Sequence, residues 1–201
     1  MNLELRDVSK AYAGRTVLDR VSHAFPEGRA TCVLGRSGAG KTTLLRLVAG
    51  LESPDSGEIL GRPGPRQGIA MAFQEDRLPP QLTAAACLRS VLPKAADRDA
   101  RIDAALRALG LADGADKPVR EYSGGMRRRV ALARALLYPS ALILLDEPFN
   151  GLDADTKAAA LAFARPLLAG RTALVVTHDP SDADALGAEV YRLGEEAVSK
   201  R

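Results

Sequence analysis

One stretch constrains this chain more than any other. Gly35-Arg36-Ser37-Gly38-Ala39-Gly40-Lys41-Thr42 fits the pattern G-x-x-x-x-G-K-[ST]. It follows the apolar run Ala30–Leu34, which reads as a buried strand. It opens the stretch Lys41–Ala49, where Leu44, Leu45 and Val48 share one helical face and Gly50 supplies a stop. Between a strand and a helix, glycines let the backbone fold back until several N–H groups and the positive helix end point at one spot. Such a spot holds phosphate oxygens. Lys41 would neutralise the terminal phosphates of a nucleotide, and the Thr42 hydroxyl would ligate Mg2+.

The rest of the pattern is consistent with that start. Asn2–Val8 alternates polar and apolar residues, and Thr16–Phe25 reads as a second strand ended by Pro26-Glu27-Gly28. Ser53–Gly57 and Gly61–Gly68 are rich in Pro and Gly and are expected to be loops, with Ile69–Phe73 a further short strand. From Gln74 to about Arg120 strand signals vanish and Ala-rich helices take over, with Ile102, Ala105, Leu106 and Leu109 forming a stripe on Asp97–Leu109. This stretch is predicted to be a helical lobe inserted into an α/β core. The core resumes with a helix over about Gly124–Tyr138, a strand at Ala141–Leu145, a helix over about Asp155–Leu168 and a strand at Thr172–Thr177. Alternating strands and helices imply a mostly parallel sheet covered on both faces, whose ligands bind at the carboxyl ends of the strands.

Candidate chemistry falls at those ends. Leu142–Leu145 is continuously apolar and meets Asp146-Glu147-Pro148. Beside a phosphate loop, Asp146 would hold Mg2+ and Glu147 would polarise an attacking water as general base, whereas a lone Asp-Glu would be a solvated turn. His178 ends the last apolar strand and can donate to a phosphate oxygen; on its own it would be a structural histidine, as His23 is expected to be. Gln74 ends the strand Ile69–Phe73, where it can reach Mg2+ or the water. Ser123-Gly124-Gly125 precedes a helix, so the serine caps it and the glycines allow close approach of a second anion. The run Arg127-Arg128-Arg129 cannot all face one way on a helix, and it reads as a solvated, partner-facing or ion-paired face rather than a nucleic-acid site.

Composition narrows the classes. Lys plus Arg is 28 against 25 Asp plus Glu in 201 residues, a net charge of +3, too weak to argue for nucleic acid by itself. The chain has 46% hydrophobic and 26% charged residues, which excludes a collagen or a disordered tail. Two cysteines, Cys32 and Cys87, make no disulfide framework, and Cys32 reads as a small core residue. The N-terminus lacks the order of a signal peptide, and no run of about 18 apolar residues would span a bilayer. A cytoplasmic protein is expected.

As an ordered set these motifs resemble the ATP-binding-cassette family of ATPases, over nearly the whole chain. The set runs from an aromatic residue near the start (Tyr12) through the phosphate loop, Gln74, Ser123-Gly124-Gly125 and Asp146-Glu147 to His178, with Asn150-Gly151-Leu152-Asp153 similar to the family's D-loop. The resemblance implies a single domain over 1–201: a phosphate-loop core (about 1–73 and 121–201), a small antiparallel accessory sheet and a helical lobe (about 74–120). It implies ATP and Mg2+ as cofactors. The implied catalytic residues are Glu147, His178, Lys41 and Gln74, and Thr42, Gln74 and Asp146 would serve the metal. Nucleotide contacts would come from Tyr12 (stacked on adenine), Val17, Gly35, Arg36, Ser37, Gly38, Ala39, Gly40, Lys41, Thr42 and Thr43. Ser123, Gly124 and Gly125 would complete the site of a second cassette in a head-to-tail pair.

The segment Phe73–Pro80 is similar to importer subunits serving nitrate, sulfonate, taurine or thiamine-precursor uptake. That implies an integral-membrane permease, a separate solute-binding protein, a peripheral place on the inner face of the plasma membrane, and no nucleic acid. Leu78, Leu82, Leu88 and Leu92 would dock the permease, unless they simply pack within the lobe. Tyr122 and Met126 replace the family's Leu and Gln around the signature, Asn150 and Gly151 replace its commoner Ser and Ala, and Gly57–Gly68 is short. No regulatory domain is expected beyond Arg201. Two rivals differ in class. A cassette acting on DNA or ribosomes would carry coiled-coil or tandem insertions, and a phosphate-loop kinase would have no use for Ser123-Gly124-Gly125 or His178.

Overall fold

The computed structural model describes residues 2–64 and 67–194. The middle of the loop expected at Gly61–Gly68 and the stretch before Arg201 lie outside the described residues. Two sheets share the work. Strands β1 (Leu3–Tyr12), β2 (Arg15–Phe25) and β4 (Ser56–Leu60) form an antiparallel sheet in the order β2-β1-β4. Strands β3 (Ala30–Leu34), β5 (Ile69–Ala72), β6 (Leu142–Asp146), β7 (Thr172–Val176) and β8 (Glu189–Arg192) form a parallel sheet in the order β5-β6-β7-β3-β8.

The central strands β3, β6 and β7 are buried along their whole length, as continuous apolar runs require. On one face, Val33, Leu142, Leu144, Leu174 and Val176 pack with Leu3, Leu5 and Phe25 of the antiparallel sheet and with α1 (Lys41–Val48), which buries Leu44, Leu45, Leu47 and Val48. On the other, Ile143, Leu145 and Val175 meet α4 (Gly124–Leu137) and α5 (Ala154–Leu168). The same apolar cluster continues into α2 (Ala84–Arg89) and α3 (Arg98–Ala108), burying Leu88, Ile102 and Leu106, so the segment after β5 packs onto α4 through α2 and onto α5 through α3.

Four elements differ from the sequence expectation. β1 runs on to Tyr12 because a bulge interrupts its alternation. Asp7 takes a positive φ of 48°, while its N–H donates to the Ser22 hydroxyl, which donates back to the Asp7 carboxylate. β4 takes in the last two residues of the loop expected at Ser53–Gly57 and the stretch between it and the loop expected at Gly61–Gly68. Its Gly57 has φ +79°, and a Cβ there would lie 2.4 Å from the Arg6 carbonyl oxygen, so glycine marks a close strand approach rather than a turn. The short α6 (Ser181–Leu186) and β8 complete the C-terminal part.

The apolar docking stripe is corrected in part. Leu88 and Leu92 are buried in the core cluster and unavailable to a partner, while Leu78 and Leu82 are half-buried against it. Cys32 and Cys87 are buried and unpaired. His23 stacks on Tyr191 with ring centroids 3.9 Å apart and meets Phe25 edge-on, so it is a structural histidine. Among the described residues no helix is long and apolar enough to cross a membrane.

Candidate functional site

The carboxyl ends of β3, β5, β6 and β7 meet at a cleft of about 480 Å3, lined by Val17, Ser37, Gly38, Gly40, Lys41, Thr42, Thr43, Gln74, Glu147 and His178. The loop between β3 and α1 curls because Gly38 and Gly40 take φ of +78° and +91°. A Cβ on Gly40 would lie 2.7 Å from the Leu18 side chain and 2.9 Å from that of Val17, so any other residue would push the loop off β2. Gly40 also caps α1, leaving the first N–H groups of that helix free for an anion. Lys41 is 8% exposed, and its ammonium donates to the Gly35 carbonyl at 2.8 Å and the Arg36 carbonyl at 3.1 Å. Its charge is thus parked across the loop mouth, with no ion pair among the described residues. Ala39 closes the turn with an N–H bond to the Arg36 carbonyl at 3.1 Å.

Asp146, 2% exposed, lies beneath the loop at the end of β6. Burial pushes its carboxyl above the usual carboxylate range and the neighbouring Glu147 adds to this, while the Thr42 hydroxyl, Arg46 and Lys41 oppose it. Its Oδ1 is buried without a hydrogen-bond partner. A bare, buried carboxylate oxygen beside a threonine hydroxyl is the donor set that a hard cation such as Mg2+ fits, with phosphate oxygens and water supplying the other ligands. Among the described residues no cluster of three His, Cys, Asp or Glu side chains forms a metal cage.

Glu147 occupies a left-handed φ of 49°, which for a side-chain-bearing residue needs outside support. Its N–H donates to the Val176 carbonyl at 3.0 Å, and its Oε2 accepts from the Asn150 carboxamide at 2.9 Å. His178 is exposed at the end of β7. The turn that carries it is anchored by Lys157, 2.6 Å from both Asp179 and Asp182, and by the Thr177 hydroxyl, which donates to Asp182. A second depression of about 210 Å3 adjoins the first through Glu147 and His178 and is lined by Asn150, Gly151, Leu152 and Lys157 among others.

Of the expected residues, Gly35, Arg36, Ala39 and Asp146 do not line the cleft although their neighbours in sequence do, and two further groups lie outside it. Tyr12, 41% exposed, does not line it; its hydroxyl bonds to Glu52 and also reaches Thr43, a cleft residue. Ser123, Gly124 and Gly125 sit at the start of α4, where the Ser123 hydroxyl accepts from the Met126 N–H at 3.2 Å. Ser123 and Gly124 are exposed and do not line the cleft of their own chain. Tyr122 is buried with its hydroxyl donating to the Gly114 carbonyl at 3.0 Å, and Met126 packs on the core. The basic run turns inward: Arg127 donates to the Tyr122 carbonyl, Arg129 to those of Gly125 and Leu109, and Arg128 to three further carbonyls. The ion-paired alternative for the basic run holds at Arg128, which pairs with Asp76 at 2.8 Å, but sequence reasoning had no signal for its carbonyl acceptors or for Lys157, whose partners are distant along the chain.

Fold and cleft together define a phosphate-loop nucleotide-binding cassette. The chain belongs to the ABC transporter family, whose model matches residues 18–150. It is 42% identical over 199 residues to the aliphatic sulfonates import ATP-binding protein SsuB 1 of Burkholderia lata, covering 97% of this chain and 62% of that protein. It is 43% identical to SsuB of Cupriavidus pinatubonensis, over 92% of this chain and 63% of that protein. The chain thus spans less than two thirds of the length of these relatives. A dimeric ATP-binding cassette in a post-hydrolysis state with ADP and Pi superposes with a TM-score of 0.80 at 29% identity, covering 95% of this chain and 94% of that one. An ATP-binding subunit of an ABC transporter gives 0.83 at 28% identity, covering 96% and 86%.

Proposed function

We propose that this chain binds and hydrolyses ATP to drive a membrane permease that imports a small solute, with aliphatic sulfonates the class to which the relatives point. One observation carries the enzymatic part: a phosphate loop, a carboxylate, a glutamine and a histidine converge on a single cleft. Loop N–H groups and Lys41 would hold the β- and γ-phosphates, with Lys41 exchanging its carbonyl partners for phosphate oxygens. The Glu147 carboxylate would accept a proton from the attacking water, Gln74 would orient that water, and His178 would donate to a γ-phosphate oxygen. Mg2+, held through Thr42, Asp146 and Gln74, would neutralise charge developing on the phosphates. Tyr12, tethered by Glu52, would stack on adenine.

The reading extends to a pair of cassettes. Ser123, Gly124 and Gly125 offer a capped helix end with no anion from their own chain, which supports a role in completing the cleft of a second copy or a paired cassette. The 1–201 stretch is read as one domain, with the lobe at about 74–120 facing the permease. Leu78 and Leu82 remain the apolar contacts for it. The protein would sit on the inner face of the plasma membrane through that permease, a separate solute-binding protein would deliver cargo, and no nucleic acid is needed.

Glu147→Gln tests the core of this proposal. Glutamine keeps an oxygen for the Asn150 carboxamide, so the turn should persist while the base is lost. ATP affinity should remain, phosphate release should fall by roughly 10²–10⁴-fold, and a nucleotide-bound dimer should accumulate in solution scattering. Near-normal turnover in this variant would overturn the assignment.

A further inference from the structure

Arg128 has no part in the reading above, yet it is the most widely bonded side chain near the cleft. It lies in the first turns of α4 and is 18% exposed. Its Nε donates to Asp76 Oδ1 at 2.8 Å, its Nη2 to the Gln74 carbonyl at 2.8 Å, and its Nη1 to the carbonyls of Glu147 at 3.0 Å and Asn150 at 3.4 Å. These bonds join segments that lie 19 to 54 residues away along the chain. Arginine suits such a junction because its planar fork presents five donors in fixed directions, whereas a lysine ammonium serves one small cluster.

The junction meets the strained point of the site. Glu147, at φ +49°, keeps its conformation only while its surroundings hold it. Its N–H is held by β7, its carboxylate by Asn150 and its carbonyl by Arg128. The same guanidinium holds the loop on which Gln74 stands, where the chain leaves the parallel sheet for the helical segment.

We propose that Arg128 is a positioning residue that locks the Gln74 loop to the Glu147 turn, keeping the two water-facing side chains in register and making the base sensitive to movement of the helical segment. This rests on the reading of Glu147 as general base. The hydrogen bonds of Arg128 go to Asp76 and to the backbone carbonyls of Gln74, Glu147 and Asn150, not to the phosphate loop, so its loss should spare nucleotide binding and strike turnover. Displacing a reacting group by about 1 Å costs on the order of 10²-fold.

The test compares phosphate release, ATP affinity and hydrogen exchange in the full chain, its R128A and R128K variants and E147Q. For R128A the expected result is a kcat loss of roughly 10–100-fold with KM and ATP affinity within about twofold. R128K should recover only part of the loss. Amides at 74–77 and 147–151 should exchange faster together in R128A. A kcat within about threefold of the parent while E147Q is inactive would overturn the proposal. So would faster exchange confined to one of the two segments. Should R128A fail to fold, R128K decides: a kcat loss of about fivefold or more at unchanged KM supports the lock, and a parental rate refutes it. Normal turnover by E147Q would instead sink the functional reading, while the paired exchange would still show whether the lock exists.

Discussion

Replacing Lys157 by methionine would strand a buried carboxylate beneath the His178 turn. The ammonium lies 2.6 Å from Asp182 Oδ1, and the Asp182 side chain is only 1% exposed. Thr177 donates to the other carboxylate oxygen, and Lys157 is the cation at Oδ1. Breaking a buried pair from one side costs about 3–5 kcal/mol. Lys157 is itself 23% exposed, which places the loss near the lower end, about 3 kcal/mol. A stranded aspartate can also escape by binding a proton, which at pH 7 sets a ceiling of about 4 kcal/mol. For a domain of this size, about 3 kcal/mol corresponds to a melting point lower by roughly 6–12 °C.

The pH dependence supplies the sharper check. Lys157 titrates above its ordinary value: burial alone would lower it, but the bonds to Asp179 and Asp182 more than compensate. Asp179 titrates well below the usual carboxylate range, first because Lys157 donates to it and then because the Ser181 hydroxyl and amide do. A depressed carboxyl stabilises the fold above its unfolded value, about 3.9, and that contribution is lost as pH falls towards the folded value. A raised lysine stabilises below its unfolded value, about 10.4, and that contribution is lost as pH rises through the folded one. The gap between parent and K157M should therefore be widest between these limits and shrink towards pH 3. Thermal melts of nucleotide-free protein, followed by circular dichroism across pH, measure it. A melting point within about 2 °C of the parent at pH 7, or a gap indifferent to acid, would refute the argument.

Two other predictions concern buried groups. Asp146→Asn should abolish ATP hydrolysis yet raise the melting point of the nucleotide-free protein at pH 8. The reason is that burial raises the Asp146 pKa, so its destabilising ionisation grows as pH rises through the folded value and vanishes in acid. Added Mg2+ with ATP should raise the melting point of the parent and not of D146N. Both thiols should stay silent to a thiol reagent in native buffer, since burial, with some help from the Asp182 charge, pushes Cys32 up to about 12, and burial also raises Cys87. Labelling of either within minutes would contradict that.

Much of the fold was legible because its signals are local. Ala30–Leu34 was expected as a strand and is one, and the helices after Gly40 and Ser123 begin where a glycine-rich loop and a serine cap say they should. The misses share a cause. β4 has a glycine in its interior and β8 has only four residues, and each becomes a strand only by pairing with a partner far along the chain, β1 and β3 respectively. An apolar stripe states that one face wants burial without stating against what, which is why Leu88 and Leu92 read as a docking face yet fill the core.

The site divides along the same line. Of the residues expected at the site, Gly40, Lys41, Thr42, Glu147 and His178 line one cleft; they stand out in the sequence because phosphate and proton chemistry calls for such side chains at strand ends, and strand ends are marked by local apolar runs. Nothing local marks the cations that hold those ends together. Arg128 reads only as part of a solvated, partner-facing or ion-paired basic run until its carbonyl acceptors arrive from elsewhere, and Lys157 looks like an exposed helix residue until α6 brings Asp182 beside it. Backbone carbonyls leave no trace in an amino-acid pattern, because every residue has one. A ligand-contacting residue can therefore be read from its chemistry, while a residue that bonds main-chain oxygens becomes visible only when the fold is closed.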